Sequence, residues 1–561
     1  MIDHVIPNQN LRKPPVIPYR HDRWMTSWTH FSDADSLKFP GFDMTSASIF
    51  RSFPPPPGKG QITVFEQIGE LNHVPQEQAK LKLQGYPDVS VNKDSTRNLT
   101  QRENAKSAFL LHDETMSKRV YHAWQDMGIS GALEEIVNDS DQVPNWISSV
   151  AQKLLVLSRW TGSLHGSFFP HLALSNEDIV SRYSRVVHWT TSPIKAFSWH
   201  PHTLKFSYAL QDDTVRVHAN FTELASSLKH TELVPILKHK LQKNIACLDW
   251  QPNSSSVLAV GCQSCILIWH VEPTSLATRP SSSSVQVLQE SGHSPVTSLS
   301  WSPDGRILMS ASPVDTAMMA WDVALETCTP LRRFGGGGVS LVSWSPDGSK
   351  LFSATPSNVF RVWETRTWTC EKWSTSTGPC KTACWSPKGN ILLFATENHP
   401  VIYSLTFSEV SDEKKPVIFG SQTAMATVDL SETDLQIGDS SSVKVGGLIQ
   451  HMSWDSHGER LAVVFQGNCD YIAVFRTKLY PLLEVTPCGV VKGLDGETAE
   501  FVQFQPNYSK GALLIVVWSS GRVGYLPMHF ISSSTSVSSL EDEIKFQQHQ
   551  HTFSSGIYST T

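Results

Sequence analysis

The sequence predicts an all-β fold made of one unit repeated seven times, and three observations carry that prediction. A Trp-x-Pro motif opening a turn recurs at Trp199-His200-Pro201, Trp250-Gln251-Pro252, Trp301-Ser302-Pro303, Trp344-Ser345-Pro346 and Trp385-Ser386-Pro387, with degenerate copies at Trp454-Asp455-Ser456 and Phe504-Gln505-Pro506. At 18 to 21 residues beyond each anchor, a strand-like run ends in an aromatic or a histidine: His218, Trp269, Trp321, Trp363, Tyr403, Phe475 and Tyr525. The anchors are spaced 51, 51, 43, 41, 69 and 50 residues apart, which brackets the roughly 40–45 residues of a propeller blade plus insertions. No such unit buries both of its faces alone, so the copies pack face to face around a channel. The expectation is a seven-bladed WD-type β-propeller over 185–530, preceded by a small α-helical segment and a disordered N-terminus.

Each copy reads strand, tight turn, strand, turn, strand. In Trp301-Ser302-Pro303-Asp304-Gly305, proline presets φ at the second turn position and glycine takes the left-handed position at the end. Ser345-Pro346-Asp347-Gly348 and Lys388-Gly389 repeat this chemistry, and apolar runs such as Ile307-Leu308-Met309 and Ile391-Leu392-Leu393-Phe394 follow. The third copy carries most of the WD signature: Gly292-His293, Ser310 or Ser312, Asp315 and Trp321-Asp322. In WD repeats the His, Ser, Asp and Trp form a buried hydrogen-bond chain. Elsewhere Gln263, Ser357 and Cys469 occupy the place of the turn aspartate, so those blades depend more on apolar packing. His293 and Asp315 also have the composition of a catalytic pair, but the blade context accounts for both.

Closing the ring leaves an edge strand to pair. Little chain follows Tyr525, so the outer strand of the last blade is expected from before blade 1, at Arg185-Val186-Val187-His188-Trp189.

Ahead of the ring, residues 1–60 read as disordered and hold the polyproline II stretch Phe53-Pro54-Pro55-Pro56-Pro57, a spacer or a ligand for an aromatic groove. Residues 61–184 read as one short strand (Gln61 to Glu66) plus a helical segment. Met116, Val120, Trp124 and Met127 form one helical stripe ended by Gly128, and Trp146, Val150, Leu154 and Leu157 form a second. These stripes are expected to pack under the propeller as a lid, or to present a ridge to another protein. Ser175 is placed to cap a further helix. Stretches near 221–243, 279–291 and 407–446 read as solvated insertions, and 531–561 as a disordered Ser-rich tail.

Composition sets limits on function. The 561 residues carry 46 basic and 52 acidic side chains, a net charge of −6, so no basic field recruits nucleic acid. No apolar run approaches the roughly 18 residues needed to span a bilayer, and the N-terminus lacks a signal-peptide pattern. Charged residues make up 17%, below the roughly 25% usual for soluble domains, which suggests a surface covered in part by partners. Nine cysteines, an odd number lying mostly in strands, fit a reducing compartment. Cys262-Gln263-Ser264-Cys265 and the pair Cys380 and Cys384 invite a zinc reading, but zinc needs four converging ligands, and these positions suit small core residues better. Gly335-Gly336-Gly337-Gly338 lacks the Lys-Ser/Thr of a phosphate loop. No cofactor, metal or catalytic residue is expected. The residues singled out are structural: Trp199, Trp250, Trp301, Trp344, Trp385, Trp454, Phe504, His293, Asp315, Trp321 and Trp363.

Several segments carry a closer resemblance. Ser163-Leu164-His165-Gly166-Ser167-Phe168-Phe169-Pro170-His171-Leu172, Cys262 to Trp269, Pro273-Thr274-Ser275-Leu276, Ser310 to Asp315 and Asp347-Gly348-Ser349-Lys350 resemble the aladin family of WD-repeat nucleoporins. The polyproline run and the strand after it also match that family's start. Residues 1–43 extend beyond that start, with Met44 where it would fall, so they are expected to be an upstream extension. The tail is short and serine-rich compared with the family. The resemblance implies a non-catalytic scaffold of the nuclear pore complex, held at the nuclear envelope by a transmembrane nucleoporin and contacting other nucleoporins. It further implies support of protein import and a presence at spindle poles in mitosis, with no direct membrane insertion. It assigns no binding residue. The rival expectations are a generic WD-repeat adaptor, such as the substrate receptor of a ubiquitin ligase, and an enzyme built on a propeller.

Overall fold

The computed structural model of the chain describes residues 48–78 and 174–530, together with scattered positions between 89 and 156. Excepted are positions 68, 220–233, 272–279, 282–284, 333–336, 408–423, 438–440, 468–469, 481 and 509. The expectations for 1–47, for the stripe of Met116, Trp124 and Met127, for Leu157, for Gly335 and Gly336, and for 531–561 lie outside the described residues.

Seven blade sheets follow one another along the chain, six of them wholly antiparallel. Each predicted anchor ends the innermost strand of its blade: Ile194–Trp199, Cys247–Trp250, Ser298–Trp301, Leu341–Trp344, Cys380–Trp385, Ile449–Trp454 and Ala499–Phe504. The turn after the anchor then reverses the chain, and Gly305, Gly348, Gly389 and Gly458 hold φ between 68° and 75° there, which a Cβ would strain. In blade 3 the strands Ser298–Trp301, Ile307–Ala311, Ala317–Asp322 and Thr327–Arg332 run outward in that order. The run predicted about twenty residues after each anchor is the third strand, so Trp321 pairs with Leu308 and Trp363 with Leu351. Apolar side chains from adjacent sheets meet between blades; Phe352, Phe360, Leu392 and Phe394, for example, are all fully buried in the seam of blades 4 and 5.

The expected insertions hold the missing outer strands. Ile236–Leu237 edges blade 1, Gln286–Leu288 blade 2 and Met425–Asp429 blade 5. They are short or polar because an outermost strand buries little. Between blades 5 and 6, the hairpin Thr433–Ile437 and Ser441–Val445 explains the longest anchor spacing.

Ring closure corrects the sequence expectation. The last blade orders its strands as Ala499–Phe504, Gly511–Trp518, Val523–His529, Gln61–Gln67 and Glu70–Pro75. Gln61–Gln67 therefore closes the ring, and it lies parallel to its neighbour, with Glu66 opposite Met528 and Gln67 opposite His529. Residues 185–190 form a turn instead. Their place is beside the inner strand of the last blade, where the Val187 N–H donates to Glu500 O at 3.0 Å. Trp189, fully buried, donates its indole N–H to Ile245 O at 3.0 Å, so this segment wedges blades together rather than adding a strand.

The expected disorder does not extend through residues 48–60. The 3-10 turn Ile49–Ser52 seats Phe50, fully buried, 4.9 Å from Phe53 and 5.9 Å from Phe465, and Phe53 lies 5.3 Å from Phe475. The polyproline run is thus pinned to blade 6 at its start. The helix Asn176–Tyr183 starts as expected, with the Asp178 N–H donating to Ser175 Oγ at 3.2 Å, and it buries Ile179 and Val180. The second stripe does not act as a lid: Trp146 is 69% exposed, and Val150 and Leu154 nearly half exposed. Ala151 and Leu155, on the other side of that helix, are the buried pair, since about 100° per residue separates the two sets.

Candidate functional site: the interblade fastenings and the helix-bearing face

The predicted polar quartet of blade 3 is assembled as one chain of hydrogen bonds. Trp321 Nε1 donates to Ser310 Oγ at 2.8 Å, Ser310 Oγ lies 2.8 Å from His293 Nε2, and His293 Nδ1 lies 2.9 Å from Asp315 Oδ2. Because an ionised carboxylate only accepts, Nδ1 carries the imidazole proton, Nε2 accepts, and the serine hydroxyl donates to it. Asp315 Oδ1 also accepts the Ala317 N–H at 2.9 Å. Of the two candidate serines, Ser310 completes the chain. His293 and Ser310 are buried, so this pair is a strut with no free face for a substrate.

Other blades keep fragments of the device. Trp363 Nε1 donates to Ser353 Oγ at 2.9 Å in blade 4, and Trp269 Nε1 reaches Gln242 Oε1 at 3.1 Å in blade 2. Gln242 also donates to Asp213 O and Leu237 O, so one buried amide ties blade 1 to blade 2. In blade 1, Tyr208 and His218 are joined at 3.2 Å, and burial drops the His218 pKa to about 4.

The anchors do more than fill space. An innermost strand has a free edge, so its N–H groups need partners from elsewhere. The residue just before an anchor supplies one to the next blade. The Trp301 N–H donates to Asp249 Oδ2 at 2.8 Å, Trp344 N–H to Ser300 Oγ at 3.2 Å and Phe504 N–H to Ser453 Oγ at 3.1 Å. Trp385 Nε1 donates to Ser343 O at 3.1 Å, and Trp454 Nε1 to Thr477 Oγ1 at 2.9 Å. Trp199, Trp250, Trp301, Trp385 and Phe504 are buried, while Trp344 and Trp454 are half-buried. The fastening residues were not singled out in the sequence. Their signal is there, since Ser198, Asp249, Ser300, Ser343, Cys384, Ser453 and Gln503 all share the position before an anchor. Asp249 is the one acid among them, and burial pushes its carboxyl up to about 7 against the Trp301 N–H and nearby Arg185.

A second fastening holds the closing strand. Glu66, fully buried, accepts from Arg460 Nε at 3.0 and 2.9 Å and also from Nη2. The Arg460 guanidinium also lies 4.6 Å over the Phe530 ring. On the face opposite the anchor turns, Arg182 at the end of Asn176–Tyr183 pairs with Glu397 of blade 5 at 3.0 Å, and Lys381 Nζ donates to Arg182 O at 2.7 Å. Gln450 of blade 6 donates to Ser184 O at 3.1 Å. The helix is therefore docked across two blades.

Among the described residues, no group of three or more His, Cys, Asp or Glu is placed to hold a metal ion. Cys262, Cys265 and Cys380 are buried, and Cys384 sits directly before its anchor. No described helix is long and apolar enough to cross a membrane.

Six four-stranded blades and a five-stranded closing blade, one complete Asp–His–Ser–Trp chain and anchors that fasten blade to blade define a WD-type seven-bladed β-propeller. Residues 175–529 match the family described as the Aladin seven-bladed propeller, and the chain belongs to that family. It is 32% identical to Aladin of Arabidopsis thaliana over 366 residues, 60% of this chain and 76% of that protein. A shorter stretch of 106 residues is 30% identical to the EARP and GARP complex-interacting protein 1 of Rattus norvegicus, covering 19% of this chain and 27% of that one. Among solved structures, the Cps50 (Swd1) propeller domain of Myceliophteria thermophila aligns with a TM-score of 0.43 at 14% identity, over 60% of this chain and 96% of that domain.

Proposed function

We propose that this chain is a non-catalytic scaffold of the nuclear pore complex, tethered at the nuclear envelope by a transmembrane nucleoporin. In this role it contacts other nucleoporins and supports protein import, with a further role at mitotic spindle poles. Membership of the Aladin family over residues 175–529 is the observation that carries the reading. The build of the molecule agrees with it. Buried polar side chains are spent on fastening strands, which leaves a rigid ring with two faces and a rim for contacts. The helical ridge of Trp146, Val150 and Leu154 adds exposed apolar surface outside the ring.

The test is imaging of the fluorescently tagged chain in interphase cells, before and after depletion of the pore-membrane nucleoporins one by one. A punctate nuclear rim that becomes diffuse on one depletion is the expected result. A folded protein that is diffuse from the outset would overturn the scaffold reading and favour a soluble adaptor.

A further inference from the structure

The Cys262-Gln263-Ser264-Cys265 turn is absorbed neither by the fold nor by the proposed scaffold role. It closes the hairpin between the second and third strands of blade 2, Val257–Gly261 and Ile266–His270, with Gly261 opposite Ile266. Cys262 and Cys265 are therefore the next facing pair, and the Cys262 N–H donates to Cys265 O at 2.9 Å. Facing residues of antiparallel strands have Cα atoms about 4.5–5.5 Å apart, inside the roughly 4.4–6.8 Å that a disulfide spans. The Cys262 thiol itself donates to Val260 O at 3.8 Å.

The two sulfurs differ chemically. The neighbouring Cys262 thiol and then the Ser264 hydroxyl hold the Cys265 thiol below the usual range, while burial drives Cys262 well above it. Burial also pushes Cys247, Cys384 and Cys488 up to about 12 and raises Cys380. Cys265 is the one described cysteine shifted down, and it faces a second thiol across the hairpin. It sits at the tip of a hairpin whose turn residues Gln263 and Ser264 are half-exposed, within reach of a water-sized oxidant when the tip frays. The tip is tied to the loop joining blades 1 and 2, where Asn244 Nδ2 donates to Gln263 Oε1 at 2.8 Å and the Gln263 N–H to Lys243 O at 3.0 Å.

We infer that Cys265 and Cys262 form a reversible oxidation site, a nucleophilic thiol and its resolving thiol, which a hydroperoxide converts to an intrablade disulfide. The Cys265 thiolate attacks the peroxide oxygen, the O–O bond breaks, and sulfenic acid forms with release of water or an alcohol. The Cys262 sulfur then attacks the sulfenic sulfur, its proton leaving with the hydroxyl as water. Two thiols are oxidised by two electrons and one hydroperoxide is reduced. A dithiol reductant reverses the bond, as a transient disulfide in a reducing compartment requires.

The test treats the folded full-length chain with stoichiometric hydrogen peroxide, then alkylates it under denaturing conditions and maps peptides by mass spectrometry. The expected product is a peptide lighter by two hydrogens, linked between Cys262 and Cys265, alkylated at Cys247 and restored by dithiothreitol. In Cys262→Ser, dimedone should label Cys265 at least about tenfold more than in the parent, because the resolving thiol is gone. Oxidation of Cys328 or Cys370 with Cys262 and Cys265 still reduced would overturn the inference. So would a Cys247–Cys262 link, or equal dimedone labelling of parent and variant.

Discussion

Replacing Glu66 by Gln should loosen the ring at its seam. The carboxylate is fully buried and takes two contacts from Arg460 Nε, at 3.0 and 2.9 Å, beside a third from Nη2. At about 3 Å and an effective dielectric of about 20, the Coulomb attraction is roughly 5 kcal/mol. The substitution leaves a guanidinium only 8% exposed with no buried counter-charge, only the half-exposed Glu459 carboxylate 3.9 Å from Nη1, which by analogy with other broken buried pairs costs about 3–5 kcal/mol. Replacing both partners, as in Glu66→Leu with Arg460→Met, should recover most of that loss, because no charge is then stranded. Equilibrium urea unfolding followed by tryptophan fluorescence measures each variant. Hydrogen exchange across Val523–His529 reports whether the seam itself opens. If Glu66→Gln leaves both the midpoint and the exchange unchanged, Gln61–Gln67 is not the closing strand and the reasoning fails.

Three further outcomes are expected. Trp321→Ala and Trp363→Ala should each cost about 3–5 kcal/mol by emptying a buried aromatic site; unchanged melting temperatures in both would contradict the blade assignment. Phe50→Ala should cost about 3–5 kcal/mol and expose 48–75 to limited proteolysis, whereas an intact cleavage pattern would place that segment off the ring. Asp249→Asn should remove a pH dependence. The folded carboxyl titrates near 7 against 3.8, so the unfolded chain releases its proton first as pH rises. Asp249 therefore costs stability progressively from about pH 4 to pH 7 and fully above that. The asparagine, which keeps an oxygen for the Trp301 N–H, should melt higher at pH 8 by at most about 4 kcal/mol and match the parent at pH 4, and a difference independent of pH would refute this.

Much of the ring was legible because each blade repeats its own local chemistry. Trp301-Ser302-Pro303-Asp304-Gly305 encodes a strand end and a turn within five residues, and Gly305 does sit at φ 68°. The quartet of His293, Ser310, Asp315 and Trp321 was legible for the same reason, being contained within one blade. What escaped is long-range or weakly patterned. Gln61–Gln67 reads as an isolated strand because its partner lies at the other end of the chain. Arg185 to Trp189 looked more strand-like, yet burial of Trp189 against Ile245 outweighs its β propensity. Outer strands such as Ile236–Leu237 are too short to leave a period. Glu66 and Arg460, each a charge inside an apolar strand, were the one hint that those strands meet.

The parallel pairing of Gln61–Gln67 with Val523–His529 also sets a schedule for synthesis. Glu66 leaves the ribosome about 460 residues before Met528, its partner across the ladder. At roughly 5–20 residues per second, that is a wait of about 20–90 seconds. Throughout that time an apolar strand and the half-built blade edges have no final partner, so nascent-chain binders have a long window in which to hold them. The last blade is the final act of biogenesis, and a ribosome that stalls even a few residues before Val523 leaves an open ring.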